Sequence, residues 1–258
     1  MSTQLGAAVN AMGGLDEQAN VDVYGAMPTP AYRLGMKYDD QFGRRFRYSK
    51  GGGAALVQAY MTQTGIVNTG YYSVIPQTAY PQVAGARKIR VLVVTGGLAA
   101  AAENDFAGGW LMCNKVSPAV LGDIYPIVYS NQPAETLVDL ELATPIRNAW
   151  LATAELTLNY SKFFKTVAYA AAAATGQAVG VPLGPVPIGY YYWSQVRGPC
   201  PLMVGNGDTL TIGQPVGCAA TLAAAGCAAA RASTKDFWGI AISIATGDEP
   251  GLVDLRLE

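Results

Sequence analysis

The chain has 258 residues, a formal net charge of −1 and a charged fraction of 14%, against about 25% in an average globular protein. A chain so nearly neutral lacks the basic excess that neutralises phosphates, so we expect no nucleic acid among its partners. It contains no histidine, and therefore lacks the commonest general base and the usual nitrogen ligand of zinc. Both absences argue against an enzyme.

Residues 1–40 differ from the rest of the chain. They contain Met27-Pro28-Thr29-Pro30, few periodic hydrophobic residues, and tyrosines spaced along the segment at Tyr24, Tyr32 and Tyr38. Such a segment buries too little apolar surface to fold by itself. It is either a disordered leader or an extended N-terminal arm that orders across a neighbouring subunit, and the spaced aromatic side chains favour the arm.

From residue 41 the pattern becomes strand-like and predicts a β domain over 41–180. Short runs rich in β-branched and aromatic residues alternate with glycine-rich turns, and none holds a helical period. The run Thr136–Leu142 is typical, because Val138, Leu140 and Leu142 fall on one face. The predicted strands lie at 45–49, 89–95, 108–113, 123–129, 136–142 and 154–160.

The prolines at 182, 185 and 187 predict an extended linker, and therefore a domain boundary near residue 180. A C-terminal unit over 181–258 follows, with an aromatic strand at Tyr190–Trp193, a hairpin turn at Asn206-Gly207-Asp208 and further strands at 237–244 and 253–257. The fold class is therefore all-β, with an antiparallel barrel or a sandwich as the body behind the N-terminal arm.

One internal echo suggests two related β units. Val138-Asp139-Leu140-Glu141-Leu142 recurs as Val253-Asp254-Leu255-Arg256-Leu257, each after a strand that contains adjacent tryptophan and glycine. Alternating five-residue strands also resemble each other by chance, so both duplication and coincidence remain open.

The motifs that carry chemistry are missing from the sequence. Ser49-Lys50-Gly51-Gly52 has the wrong order for a phosphate-binding loop, and no serine sits in a nucleophile elbow. The cysteines at 113, 200, 218 and 227 lack metal-binding spacing, so we expect buried thiols, with a Cys218–Cys227 bridge only if the chain is exported. No cofactor and no metal are expected. No signal peptide and no membrane span are visible either, so no membrane partner is expected.

Several segments together resemble the head decoration (cement) proteins and related structural proteins of tailed bacteriophages. They are Arg45–Gly52, Gly189–Pro199, Gly213–Gly217, Gly239–Ala241 and Val253–Leu257. In that family the succession of an aromatic strand, Arg-Gly-Pro, a turn and Gly-x-x-Val-Gly typifies a small β-barrel or β-tulip on the capsid shell. This chain departs from the pattern at Cys200-Pro201 and in the alanine-rich insert at 219–232.

The resemblance implies a virion protein that is made in the host cytoplasm and binds the capsid exterior. Its expected partners are the major capsid protein and other copies of itself, with a trimer as the first guess. The predicted interface residues are aromatic: Tyr24, Tyr32, Tyr38, Tyr190, Tyr192 and Trp193. Two alternatives remain: a fibre-tip module that binds host glycans through these rings, and a major capsid protein, although no stretch has the periodicity of its long spine helix.

Overall fold

The structure, a computed structural model, describes residues 21–65, 71–72, 74–76, 82–93, 102–115, 121–131, 137–151, 154–170, 175–219, 226–231 and 236–258. These residues form nineteen β-strands and no α-helix, which confirms the predicted all-β class. All pairings between the strands are antiparallel. No helix that could cross a membrane occurs among the described residues.

The chain divides into two compact units. Unit 1 contains residues 1–64 and 165–258, and unit 2 contains residues 65–164, so unit 2 is an insertion in unit 1. The predicted division at 40/41 and 180/181 differs from this one. Residue 180 lies inside a strand, and Val186 of the expected proline-rich linker exchanges two backbone hydrogen bonds of 2.9 Å with Leu56. The prolines make this segment extended, but its pairing keeps it in unit 1.

Unit 1 is built on one sheet of eleven strands with a small pair, β14 and β18, beside it. Its longest strand, β13, pairs with β1, β3, β12 and β19. Asn206-Gly207 forms the expected turn but not the expected hairpin, since β14 pairs with β18 instead of β13. The strands of unit 1 are β1 (Ala26–Met27), β2 (Lys37–Asp39), β3 (Arg45–Lys50), β4 (Thr62–Gln63), β11 (Val167–Ala168), β12 (Ala178–Pro182), β13 (Tyr191–Met203), β14 (Thr209–Leu210), β15 (Pro215–Cys218), β16 (Ala228–Ala230), β17 (Gly239–Ala241), β18 (Ala245–Thr246) and β19 (Pro250–Arg256).

Unit 2 is a six-stranded sheet that curls back on itself. The strand order is β10-β7-β8-β9-β6-β5, and Val74, just before β5, exchanges backbone hydrogen bonds of 2.9 and 2.8 Å with Leu156 of β10. These two bonds join the first and last strands of the order. The strands are β5 (Ile75–Pro76), β6 (Lys88–Leu92), β7 (Trp110–Lys115), β8 (Ile124–Ser130), β9 (Leu137–Leu142) and β10 (Glu155–Asn159).

Alternation of the side chains explains both cores. In β9, Val138, Leu140 and Leu142 are buried inside unit 2, as predicted, and Asp139 and Glu141 point outward. In β19, Val253 and Leu255 face the core of unit 1 and Leu252 is exposed. The two segments of the internal echo are therefore strands with one buried face each, in different units. Any β-strand with one buried face has this alternation of apolar and polar residues, whatever the fold.

A β-bulge in β13 decides which of its residues face outward. The register shifts between Gln195 and Arg197, where the Nε2 of Gln195 donates to the carbonyl oxygens of Arg197, Gly198 and Pro199 at 3.1, 3.2 and 2.8 Å. Before the bulge the residues on both faces of β13 are buried, and after it only the even-numbered ones are. Residues 197, 199 and 201 are consequently exposed, between buried Gly198, Cys200 and Leu202.

Candidate interaction surfaces

Three of the predicted interface residues meet inside unit 1. Trp193 of β13 lies beside Tyr48 of β3, with ring centroids 5.1 Å apart, and Tyr32 and Tyr38 approach the same indole to 5.3 and 5.8 Å. Aromatic pairs at these separations stabilise by about 0.5–1.5 kcal/mol each beyond the burial of their area. Only 2% of Trp193 is exposed. The cluster therefore fixes residues 21–40 to their own chain.

Residues 21–40, the described part of the predicted arm, add β1 and β2 to the sheet and otherwise cover one face of β3 and β13. Val23 is buried in the same cluster as Phe46, and Gly35 donates a backbone hydrogen bond of 2.8 Å to Tyr48. Tyr32 and Tyr38 therefore pack on their own chain. Residues 1–20 lie outside the described residues.

Tyr192 belongs to a buried network of hydroxyl groups on the opposite face of the sheet. Its phenol hydroxyl lies 2.9 Å from the Oγ1 of Thr166 and 3.4 Å from the Oγ1 of Thr62. Next to it, the hydroxyls of Ser49 and Ser194 are 2.8 Å apart. Burial raises the pKa of Tyr192, so the phenol stays protonated and hydrogen-bonded. It holds strands together and cannot reach a partner.

The remaining two predicted interface residues lie apart from the Trp193 cluster. Tyr190 is half-buried against Leu56 and Val186, whereas Tyr24 is 60% exposed. Of the six predicted residues, then, Tyr24 is the exposed one, and Tyr192 and Trp193 are buried. Both of these side chains pack inside unit 1, and the indole of Trp193 is surrounded by the rings of Tyr32, Tyr38 and Tyr48.

Unit 1 instead presents an apolar strip on its outward face. Pro201 of β13 lies opposite Leu252 of β19, whose carbonyl accepts a hydrogen bond of 2.8 Å from the amide of Ile242. Directly opposed residues share a face of the sheet. In the next row, Pro199 lies opposite Asp254 and Asp254 lies opposite Ile240. We call Pro199, Pro201, Ile240, Ile242 and Leu252 the unit 1 strip.

Beside the unit 1 strip runs a row of three arginines. Arg197 of β13 is opposite Arg45 of β3 on one side and Arg256 of β19 on the other. We call these three residues the arginine row. Asp39 accepts from Arg45 at 2.7 Å, and this interaction holds the pKa of the Asp39 carboxyl below its usual range. Asp254 pairs with Arg256 at 3.1 Å.

Unit 2 carries an apolar strip of its own on the outward face of β7 and β8. Trp110 lies opposite Pro126 and Met112 lies opposite Ile124. Trp110 is 44% exposed and Ile124 54%, and Val128 extends the row along β8. We call Trp110, Met112, Ile124, Pro126 and Val128 the unit 2 strip. Neighbouring apolar residues exposed together on a sheet face indicate an interaction site, whereas single scattered ones do not.

The outward face of the neighbouring strands β9 and β6 is ionic. Arg90 binds the two carboxylate oxygens of Asp139 at 2.5 and 2.8 Å, and the hydrogen bond from Arg90 lowers the pKa of Asp139. Glu141 and Lys88 are the next pair in register. The exterior of unit 2 is thus apolar on β7 and β8 and charged on β9 and β6.

The cysteine thiols and the carboxylates are candidate nucleophiles and metal ligands. All four cysteines are free and buried; burial raises the pKa of Cys227 to about 11, and Cys218 and Cys227 lie in different core clusters. In the described part of the chain, no group of three His, Cys, Asp or Glu side chains could hold a metal ion.

A cleft of 560 Å³ in unit 2 is lined by Asp123, Tyr125 and Arg147, and this ion pair merits comparison with an active site. Arg147 contacts Asp123 at 2.6 Å, and the hydroxyl of Tyr125 donates to the other oxygen of that carboxylate at 3.0 Å. Both oxygens of Asp123 therefore have partners within the protein. The pair joins the turn before β8 to the segment after β9, which leaves the two strips and the arginine row as the candidate surfaces.

Comparison with known proteins gives no relative from which to transfer a role. No family model matches the chain, and no curated protein and no solved structure matches it.

Proposed function

We propose that the protein is a structural virion protein that binds the outside of a tailed-phage capsid and stabilises the shell, working with other copies of itself. The observation that carries the proposal is an apolar strip on the outward sheet face of each unit. Trp110, Ile124 and Val128 are exposed in unit 2, and Ile242 and Leu252 in unit 1. Two units with such strips suit a protein that covers an extended surface better than one that encloses a small ligand.

The strips act by thermodynamic linkage. A protein that binds the assembled shell and not the free subunits stabilises the shell, and the free energy gained at each site grows with the logarithm of its concentration relative to Kd. Linked contacts raise the overall affinity, since each further contact is made at a high effective concentration. Oligomerisation multiplies the contacts again. Weak individual surfaces are then sufficient, and no reaction centre is required.

Heat release of packaged DNA tests the proposal. Particles grown from the phage genome that encodes this chain, with its gene deleted, should release DNA at a lower temperature than complete particles. Purified wild-type protein should restore the higher temperature. A double variant, Trp110→Ser with Ile124→Ser, should restore it much less.

Val83→Ser is the matched control, because Val83 is an equally exposed apolar residue of unit 2 that lies in a turn outside the strip. It should act like the wild type. Absence of the protein from purified complete particles, or release temperatures that do not depend on it, would contradict the proposal.

A further inference from the structure

The arginine row places like charges side by side without benefit to the fold. In antiparallel pairs, directly opposite residues have Cβ atoms about 4.5–5.5 Å apart, and like charges there are destabilising. Arg197 has such a neighbour on both sides, Arg45 and Arg256. A carboxylate or a neutral residue at position 197 would make the sheet more stable. The arrangement therefore calls for a reason outside the fold.

The carboxylates of this face serve the outer arginines and not the middle one. Asp39 binds Arg45, and Asp254 binds Arg256. Glu258 is held by Arg47 at 2.6 Å, one row further along β3. Among the described residues, Arg197 alone of the row has no side-chain partner. Its guanidinium is exposed on β13, between two arginines that are already paired.

The neighbouring rows define the rest of the surface. Pro199 and Pro201 follow Arg197 on the same face of β13, and Leu252 lies opposite Pro201. A guanidinium fork presents its donors in the geometry of a carboxylate, and two parallel hydrogen bonds form when the partner is Asp or Glu. Nucleic acid suits this face less well, because single strands bind through aromatic platforms as well as cations, and the row next to Arg197 holds Pro199, Asp254 and Ile240, none of them aromatic.

We propose that this outward face of unit 1 docks an acidic protein surface, in which one carboxylate pairs with Arg197 and apolar side chains cover Leu252 and Ile242. The identification of this acidic surface with the capsid shell rests on the proposed function. Asp39 and Asp254 remain paired with the outer arginines, Arg45 and Arg256. Their negative charges repel a second carboxylate of the partner. The site accepts one acidic side chain in the middle of an apolar contact.

Binding to particles that lack the protein tests the partner. Co-sedimentation should give an affinity about tenfold lower for Arg197→Gln than for the wild type, together with a weaker dependence on salt, because a charge pair at an interface is screened. Leu252→Ser should lower the affinity without changing the salt dependence. Arg33→Gln is the matched control: it removes the same charge from an exposed arginine on the segment that covers the opposite face, and should bind like the wild type.

A second measurement separates failure of this inference from failure of the proposed function. Poly-L-glutamate titrated into the isotopically labelled full chain should shift the amide resonances of Arg197 and its neighbours, whether or not particles are bound. If particles bind but Arg197→Gln equals the wild type, the docking face is refuted and the proposed function stands. If particles do not bind, yet poly-L-glutamate maps to Arg197, the shell is the wrong partner. Stronger shifts with oligothymidylate than with poly-L-glutamate would overturn the inference in favour of nucleic acid.

Discussion

Replacing Trp193 by alanine should detach residues 21–40 from the body of unit 1. The indole is almost fully buried and contacts the rings of Tyr32, Tyr38 and Tyr48 at centroid distances between 5.1 and 5.8 Å. Two of these three rings belong to the covering segment. Without the indole, that segment keeps its strand pairing of β2 with β3 but loses the centre of its apolar contact.

The expected loss of stability follows from the size of the side chain. Truncation of a buried tryptophan to alanine costs about 3–5 kcal/mol, and the three ring contacts place Trp193 toward the upper part of that range. With a urea m-value of about 2 kcal/mol per molar, a loss of about 4 kcal/mol lowers the midpoint of unfolding by about 2 M. Trp193→Phe keeps one ring in the cluster and should cost less than half as much.

Two assays measure the effect. Urea unfolding followed by circular dichroism gives the midpoint, and hydrogen exchange gives the protection of the Gly35 amide, which donates to Tyr48. Protection of Gly35 should fall more than that of β19, which lies outside the cluster. Tyr24→Ala is the control, because Tyr24 is largely exposed and should leave both readings unchanged. A midpoint shift below about 0.5 M for Trp193→Ala would refute the assignment of Trp193 to a core position.

Three further outcomes are expected. Gln195→Leu leaves the three carbonyls at the bulge without their amide donor and should lower the unfolding free energy of unit 1 by about 1–3 kcal/mol in urea titration; a neutral result would show that the bulge does not need the amide. The Asp139–Arg90 pair holds the pKa of Asp139 low, so its contribution is complete above the unfolded value of about 3.9 and is lost as the pH falls through the folded value. Asp139→Asn should therefore unfold at a lower temperature at neutral pH, by an amount worth at most about 1 kcal/mol, and should converge with the wild type in acid; a difference that grows on acidification would contradict this. Finally, a chain in which a short Asn-Gly turn joins Thr64 to Lys165 should fold as unit 1 alone, since Gln63 and Val167 are already an antiparallel pair; the absence of a cooperative thermal transition in that chain would show that unit 1 depends on the insertion.

The strands themselves were predictable because their signal is local. In β9 and β19 every second residue enters a core, and five consecutive residues of the sequence are enough to show that alternation. The bounds were less accurate where pairing decides them: the predicted strand at 237–244 is reduced to Gly239–Ala241. Those three residues are the ones that pair with β15 and β19, and the chain then continues to β18, which pairs with β14.

The candidate surfaces were not predictable, because they are made by register. Arg45, Arg197 and Arg256 are separated by most of the chain, and nothing near any of them indicates the other two. The tyrosines at 32 and 38 were equally ambiguous, since an aromatic residue in a spaced segment has the same sequence pattern whether it packs on its own chain or on a neighbour. The insertion of unit 2 was hidden for a related reason: a unit boundary at 64 and 165 carries no proline-rich linker, whereas the prolines at 182–187 lie inside unit 1.

The insertion of unit 2 also sets an order of events during synthesis. The hydroxyls of Ser49 in β3 and Ser194 in β13 are joined across 145 residues of chain, which a ribosome needs about 7–30 s to add at about 5–20 residues per second. Unit 2 lies wholly within that interval and pairs its strands with one another, so it can fold as soon as residues 65–164 have emerged. The first strands of unit 1 must wait, with open edges, for a partner that is made after an entire second unit.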